Sequence, residues 1–270
     1  MATRRSSLKN VIKLVDAAKQ EMPVEQDFLN DLKRSIELTD KKTRRKGSQC
    51  YKPSSMNCIR QMYYMVNGTE PDNLGSDYCL VGICNSGSDT HERIQQAVID
   101  MKSNGMDCEY INVADYVRSR ELDYLEVVKE PNFESKEYET KLYHKKLNMS
   151  FLCDGIIKYK GKYYILELKT EGNSKFWSRE GVNPDHYNQG TAYSLALGID
   201  NVLFVYISRD NLDMKSFMFT PTSDMKMDLV GRIEECDGYL KRKIAPPKPV
   251  DVSKKACEYC DYKSTCRKEL

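Results

Sequence analysis

Between Tyr138 and Thr170 the chain becomes rich in Tyr and Ile that alternate with polar residues, with a break at Lys160-Gly161. That pattern predicts antiparallel strands. If the strands around Cys153 and Leu166 pair about a two-residue turn at Lys160-Gly161, Tyr159 faces Lys162 and Asp154 therefore faces Glu167. Side chains alternate across a strand, so Glu167 and Lys169 project to one face while Leu166 and Leu168 enter the other. The hairpin thus gathers two carboxylates and an amine.

The rest of the chain reads as helices around these strands. Residues 8–39 carry apolar residues at helical spacing with a break near Pro23, which predicts two helices. A polar loop is expected from Asp40 to Gln49. Pro53-Ser54-Ser55 marks a helix start before Cys58, and Gly68 marks its end. Another helix start is expected at Ser86-Gly87-Ser88-Asp89, with His91 in its first turn. Residues 185–198 and 223–243 read as helices, and 201–208 and 216–220 as strands. Ala245-Pro246-Pro247-Lys248-Pro249 cannot continue a helix. The expected class is α/β, with the strands in the middle of the chain.

A length of 270 residues fits one large domain, and 30% charged residues imply a densely charged surface. The net charge of +2 excludes a global basic field, so any nucleic-acid contact must come from local clusters such as Lys41–Lys46. No stretch approaches the ~20 apolar residues of a membrane span, and no apolar signal core follows the first basic residues. A cytoplasmic protein is the expectation.

Ten cysteines without a secretory signal fit metal binding or reduced thiols better than a disulfide framework. Cys257, Cys260 and Cys266 form C-x2-C-x5-C. Three cysteines leave a four-ligand site short, so a fourth ligand must come from elsewhere. Cys58 and Cys50 are the candidates, and zinc is the alternative to an iron–sulfur cluster. Cys79, Cys84, Cys108, Cys153 and Cys236 are scattered and expected to be buried.

The hairpin charges have a specific use in phosphodiester hydrolysis. A divalent cation bound by carboxylate oxygens offsets phosphate charge and activates water, and a lysine stabilises developing negative charge. A solvent-facing charged hairpin would share the same pattern. Yet Asp154 and Glu167-Leu168-Lys169 resemble the D…E-x-K core of the PD-(D/E)XK superfamily. Gly87-Ser88-Asp89-Thr90-His91-Glu92 and Gln189-Gly190-Thr191-Ala192-Tyr193 resemble the flanking G-x-x-x-H-E and Q-x3-Y motifs of its RecB-like branch. Phe151 departs from the glycine that the family often has three residues before the aspartate.

The resemblance implies a restriction-endonuclease-like α/β core with a central mixed sheet flanked by helices, over residues 50–270, preceded by a helical extension at 1–49. It also implies a DNA exonuclease, with some endonuclease activity, acting in recombination, replication or DNA processing. By the same resemblance His91, Asp154 and Glu167 coordinate Mg²⁺ or Mn²⁺, Lys169 assists the attacking water, and Gln189 and Tyr193 position the lysine or the DNA. Cys58, with Cys257, Cys260 and Cys266, resembles the [4Fe–4S] ligand set of CRISPR-associated, AddB-type and phage-encoded relatives. Expected partners are single-stranded or free-ended DNA and a helicase, recombinase or single-strand-binding protein. Asn173–Arg179 joins basic residues to Trp177, a mixture suited to single strands or to packing on the sheet. A non-catalytic DNA-binding module and a zinc-binding interaction protein are the competing readings.

Overall fold

The computed structural model of the protein describes residues 23–43, 49–72, 77–248, 252 and 254–268. It divides into two units, formed by the described residues of Met1–Arg44 with Gly75–Gly82 and of Arg45–Leu74 with Ile83–Leu270. In the first unit, α1 (Val24–Thr43) follows Pro23 and carries Glu25 and Asp27 in its first turn, where negative charge suits the helix dipole. It is the second of the two helices expected over 8–39; the first lies outside the described residues. The expected loop from Asp40 starts later than predicted, because nothing between Asp40 and Thr43 breaks a helix. Of the basic run Lys41–Lys46, only the Lys41 side chain falls among those described.

In the second unit, Pro53–Ser55 forms a 3-10 turn, and Cys58 is the extended N-cap of α2 (Ile59–Val66). Gly68 closes that segment at φ +74°. Helix α3 (Tyr78–Asp100) runs unbroken through the expected start at Ser86–Asp89, so His91 lies well inside a helix and not in a first turn. The misleading cap signal has a local cause. Ser88 and Thr90 donate their hydroxyls back to the carbonyls of Cys84 and Ser86, at 3.3 and 2.8 Å, and so satisfy themselves within the helix. The cap is Asp77, whose carboxylate accepts from the Leu80 N–H at 2.8 Å.

Strand β1 (Cys108–Ile111) and helix α4 (Val113–Ser119), N-capped by Asn112, precede β2 (Leu125–Lys129), β3 (Thr140–His144), β4 (Met149–Cys153), β5 (Gly155–Tyr159) and β6 (Lys162–Glu171). The short α5 (Asn173–Trp177) and α6 (Tyr187–Leu197) lead to β7 (Val202–Ser208), β8 (Met214–Phe219) and α7 (Ser223–Arg242). Two short helices, α8 (Lys254–Glu258) and α9 (Lys263–Lys268), end the described chain. The class is α/β, with a mixed five-stranded sheet in the order β1-β5-β6-β7-β8 and a three-stranded sheet in the order β2-β3-β4. Within the larger sheet β6 and β7 are parallel and the other pairs antiparallel.

The turn at Lys160-Gly161 uses φ of +48° and +79° and sets Tyr159 opposite Lys162, as the alternation predicts. One expectation fails beside it. Cys153 does not lie on the strand that pairs with β6; it ends β4, which pairs with β3 in the smaller sheet. The chain changes sheets at Asp154. Gly155 permits the change, because a Cβ there would lie 2.6 Å from the Tyr110 ring.

Both faces of the larger sheet are covered. Ile156, Ile165, Phe204 and Tyr206 pack on Ala192 and Tyr193 of α6 and Leu229 and Ile233 of α7. On the opposite face Ile157, Leu166 and Leu168 pack on Ile94, Val98 and Met101 of α3. Cys108, Cys153 and Cys236 are buried as expected. Cys79 and Cys84 are not, because they stand exposed on α3.

At Gly190 an added Cβ would come within 2.8 Å of Phe219 and 3.2 Å of Phe204. Overpacking of this kind costs about 1–3 kcal/mol, against about 1 kcal/mol gained in helix propensity. We therefore expect Gly190→Ala to lower the urea midpoint. Gly181→Ala, which meets nothing within 4 Å, should leave it in place.

Candidate metal centre

Asp154 occupies the junction between the two sheets, and each register runs up to it. Gly155 pairs with Leu166, so one further step sets Asp154 opposite Glu167; Thr140 pairs with Cys153, so one further step sets it opposite Glu139. Residues opposite one another in antiparallel strands point the same way. A single carboxylate therefore meets one acid from each sheet. Its Oδ2 accepts the Leu168 N–H at 2.7 Å, which fixes the rotamer, and Oδ1 lies 3.7 Å from His91 Nδ1.

His91 reaches this point from α3, on the same helix stripe as Gly87 and Gln95. A Cβ on Gly87 would stand 3.2 Å from Thr170 Oγ1, so the glycine lets the helix approach β6. Gln95 is buried and donates to the Asp154 carbonyl at 2.7 Å. Among the described residues, the side chains whose ligand atoms all lie within 4.8 Å of one another are those of His91, Glu139 and Asp154. They could hold a metal ion. Glu139 is absent from the sequence-derived site. Its signal was a second hairpin, β3–β4, turning at Lys145–Asn148, whose register carries Glu139 to Asp154 just as the Lys160 turn carries Glu167 there.

Glu167 is 3% exposed and shares its face of β6 with Lys169. Lys169 Nζ donates to Glu167 Oε1 at 2.5 Å and to Gln189 Oε1 at 3.0 Å, while Gln189 Nε2 donates to Glu167 Oε1 at 2.6 Å. Tyr193 lies one turn on, accepts from Gln189 Nε2 at 2.9 Å and donates to the Leu152 carbonyl at 2.9 Å. Tyr193 is buried, with its ring 5.1 Å from that of Phe151. Gln189 thus contacts the lysine and glutamate, and Tyr193 holds Gln189. Phe151 fills a core position beside it.

Burial pushes Glu167 up to about 7, with Lys169 pulling down and Asp154 pushing up. Burial and then the Asp154 charge raise Glu139. Burial disfavours the imidazolium of His91, but Asp154 and Glu167 outweigh it and leave the pKa raised. The three carboxyl groups strain against one another, and a cation among them relieves that repulsion. His91 and Glu139 open onto a cleft of about 670 Å³ that is also lined by Thr170, Lys129, Lys136 and Arg209.

Beyond β6 the loop carrying α5 is firmly braced. Arg179 Nε donates to Glu171 Oε2 at 2.6 Å, and its guanidinium lies 4.1 Å from the Tyr206 ring centroid. Lys215 Nζ donates to the carbonyls of Phe176, Trp177 and Arg179. Phe176 is buried at 1% and Trp177 is 56% exposed. The two aromatics therefore divide the roles that the sequence left open: Phe176 packs inward and Trp177 faces solvent.

Cys58, Cys257, Cys260 and Cys266 line one cavity of about 230 Å³, but their sulfurs do not gather as closely as the ligand atoms of His91, Glu139 and Asp154. Burial raises the Cys58 thiol and pushes that of Cys260 up to about 11. The tail is tied down near them. Arg60 donates to the Pro246 carbonyl at 2.7 Å, the Ser264 N–H donates to Asp72, and Tyr262 packs 5.7 Å from Tyr64.

No family model and no curated protein matches the chain. Among solved structures, it resembles the crystal structure of SSO0001 at 15% identity and a TM-score of 0.47, covering 91% of this chain and 98% of that one. It also resembles LHK-Exo in complex with dAMP, at 11% identity and a TM-score of 0.37, covering 72% and 89%. Neither superposition reaches a TM-score of 0.5, so function has to be read from the side chains themselves. Among the described residues, no helix is long and apolar enough to cross a membrane.

Gln189 satisfies Glu167 and Lys169 at once. Gln189→Leu should cost about 1–3 kcal/mol of stability through the groups it orphans. It should also weaken Mn²⁺ binding about 10–100-fold, as loss of a ligand's supporting contact does. Titration calorimetry with Mn²⁺ checks this, wild-type affinity in the variant being the contrary result.

Proposed function

We propose that the protein is a divalent-metal-dependent DNA nuclease of the PD-(D/E)XK type, within residues 50–270, acting on single-stranded or frayed ends as an exonuclease with some endonuclease activity. The convergence of His91, Glu139, Asp154, Glu167 and Lys169 on one junction carries this reading. A charged hairpin face with no chemistry to perform would leave its carboxylates in water. Here Asp154 and Glu167 are buried beside a histidine and a lysine, at a desolvation cost that a binding surface does not require.

The donor set suits Mg²⁺ or Mn²⁺, since carboxylate oxygens dominate and the imidazole favours manganese. When bound, the cation supplies charge neutralisation at the phosphate and lowers the pKa of water. Asp154, fixed by the Leu168 amide, and His91 orient the ligand shell. Glu167 orients Lys169 through their hydrogen bond, and Gln189 holds both. The Lys169 ammonium is placed to stabilise negative charge developing on the attacked phosphate. Trp177, exposed on its braced loop, suits stacking of an unpaired base.

The cysteine cavity fits a [4Fe–4S] cluster held by Cys58, Cys257, Cys260 and Cys266. Four thiolates on one tetrahedral zinc would stand roughly 3.8 Å apart. The wider set around about 230 Å³ leaves room for the iron and sulfide of a cluster. Its role is structural, pinning α2 to the tail. Within a cell, a helicase, recombinase or single-strand-binding protein would supply the unpaired strand, in the cytoplasm of a bacterium or a phage-infected host.

Digestion of end-labelled and circular single-stranded DNA with Mn²⁺ tests the catalytic reading. We expect cleavage of the linear strand, reduced about 10²-fold or more by Asp154→Ala or Lys169→Ala and less severely by Trp177→Ala. Absence of metal-dependent cleavage by the wild type would refute it. Separately, protein purified without oxygen should be brown, and Cys260→Ala should lose the chromophore and melt lower. Colourless wild type with stoichiometric zinc would exclude the cluster.

A further inference from the structure

We propose that Arg209 binds a phosphate of the nucleic-acid strand in the cleft, beside the phosphate attacked at Asp154. This rests on the nuclease reading and adds to it a residue that no sequence motif marks. Arg209 follows β7 directly, and its N–H donates to the Glu171 carbonyl at 2.8 Å, so its backbone is locked to the end of β6, near Lys169. The guanidinium lies against Gly172, where a Cβ would stand 3.3 Å from Nη2. From there Arg209 lines the cleft that also holds His91 and Glu139.

Its neighbours of like charge are already engaged. In the cleft, Lys129 pairs with Glu137, and Lys136 lies 3.8 Å from Glu92. At the same end of β6, Arg179 and Lys175 both pair with Glu171. Among the described residues no carboxylate, carbonyl or ring engages the Arg209 guanidinium, although it is half-buried. A planar fork of five N–H donors in that state is matched by a phosphate, which accepts from it in bidentate fashion.

A small phosphate monoester would satisfy the cation site or the guanidinium. A polynucleotide satisfies both, because its charges repeat along the strand. The cleft therefore pairs an acidic, cation-binding side with a free cationic side, which is the charge pattern of a site where one phosphate reacts and its neighbour is held.

The test measures anisotropy of a fluorescent oligothymidylate with Ca²⁺ at several salt concentrations, and cleavage with Mn²⁺, for the wild type, Arg209→Gln and Arg209→Lys. Arg209→Gln should bind about tenfold more weakly and flatten the log–log salt slope by about 0.7, the value of one single-strand phosphate contact. Arg209→Lys should keep the slope and lose part of the affinity, since the charge stays and the fork is lost. Wild-type affinity and slope in Arg209→Gln, in a protein that cleaves, would overturn the Arg209 assignment alone. Equal losses in both variants at unchanged slope, with lowered melting temperatures, would mark a merely structural residue and overturn it too. A wild type that neither binds nor cleaves removes the nuclease reading and this inference together.

Discussion

A single hydrogen bond, from the Leu168 amide to Asp154 Oδ2, underlies the architecture of the site. It joins the residue at which the chain leaves the smaller sheet to the middle strand of the larger one. With Asp154 fixed there, the two hairpin registers converge on it, and Glu139 and Glu167 arrive from different sheets. The scaffold is rigid backbone pairing, which is why the side chains can be held within the few ångströms that metal chemistry tolerates.

That convergence has an electrostatic cost. Glu167 is 3% and Asp154 6% exposed, so neither is well screened by water. The fold compensates with cations and donors in fixed places: Lys169 and Gln189 on Glu167, and His91 and the Leu168 amide on Asp154. Glu139 has weaker compensation, and burial together with Asp154 raises its pKa. A divalent cation held among them would remove the residual mutual repulsion. Cation binding and folding stability are then linked through the same few atoms.

The sequence made the Lys160-Gly161 hairpin legible because turn chemistry and alternation agree there, and a register follows from a two-residue turn by counting. Glu167, Lys169 and their relation to Asp154 came from that count. Glu139 was equally countable, but the β3–β4 turn at Lys145–Asn148 has no Gly or Pro to announce it; Asn148 takes φ +45° instead. The single strand assumed through Cys153 hid the change of sheet, because sheet membership depends on which partner is present and not on local pattern. In α3, residues with strong capping preference sit in the helix interior. Their hydroxyls find carbonyls one turn back, and packing of Gln95, Val98 and Ile94 on the sheet outweighs their preference for an end. Arg209 was invisible for a different reason: what distinguishes it is that its guanidinium has no partner among the described residues.

The start of α2 bears on the site through a short chain of contacts. Cys58 caps α2, and the residue before it, Asn57, donates to the Asp185 carbonyl at 2.7 Å and accepts from Asn188 Nδ2 at 2.8 Å. Asn188 immediately precedes Gln189. The segment that sets the start of α6 is therefore held by the same few residues that lead into the cysteine cavity. Gln189 in turn reaches Glu167 and Lys169 from the first turn of that helix, where a small change of entry angle moves a side chain most. The residue before Cys58 is thus two hydrogen bonds from the start of the helix that carries Gln189.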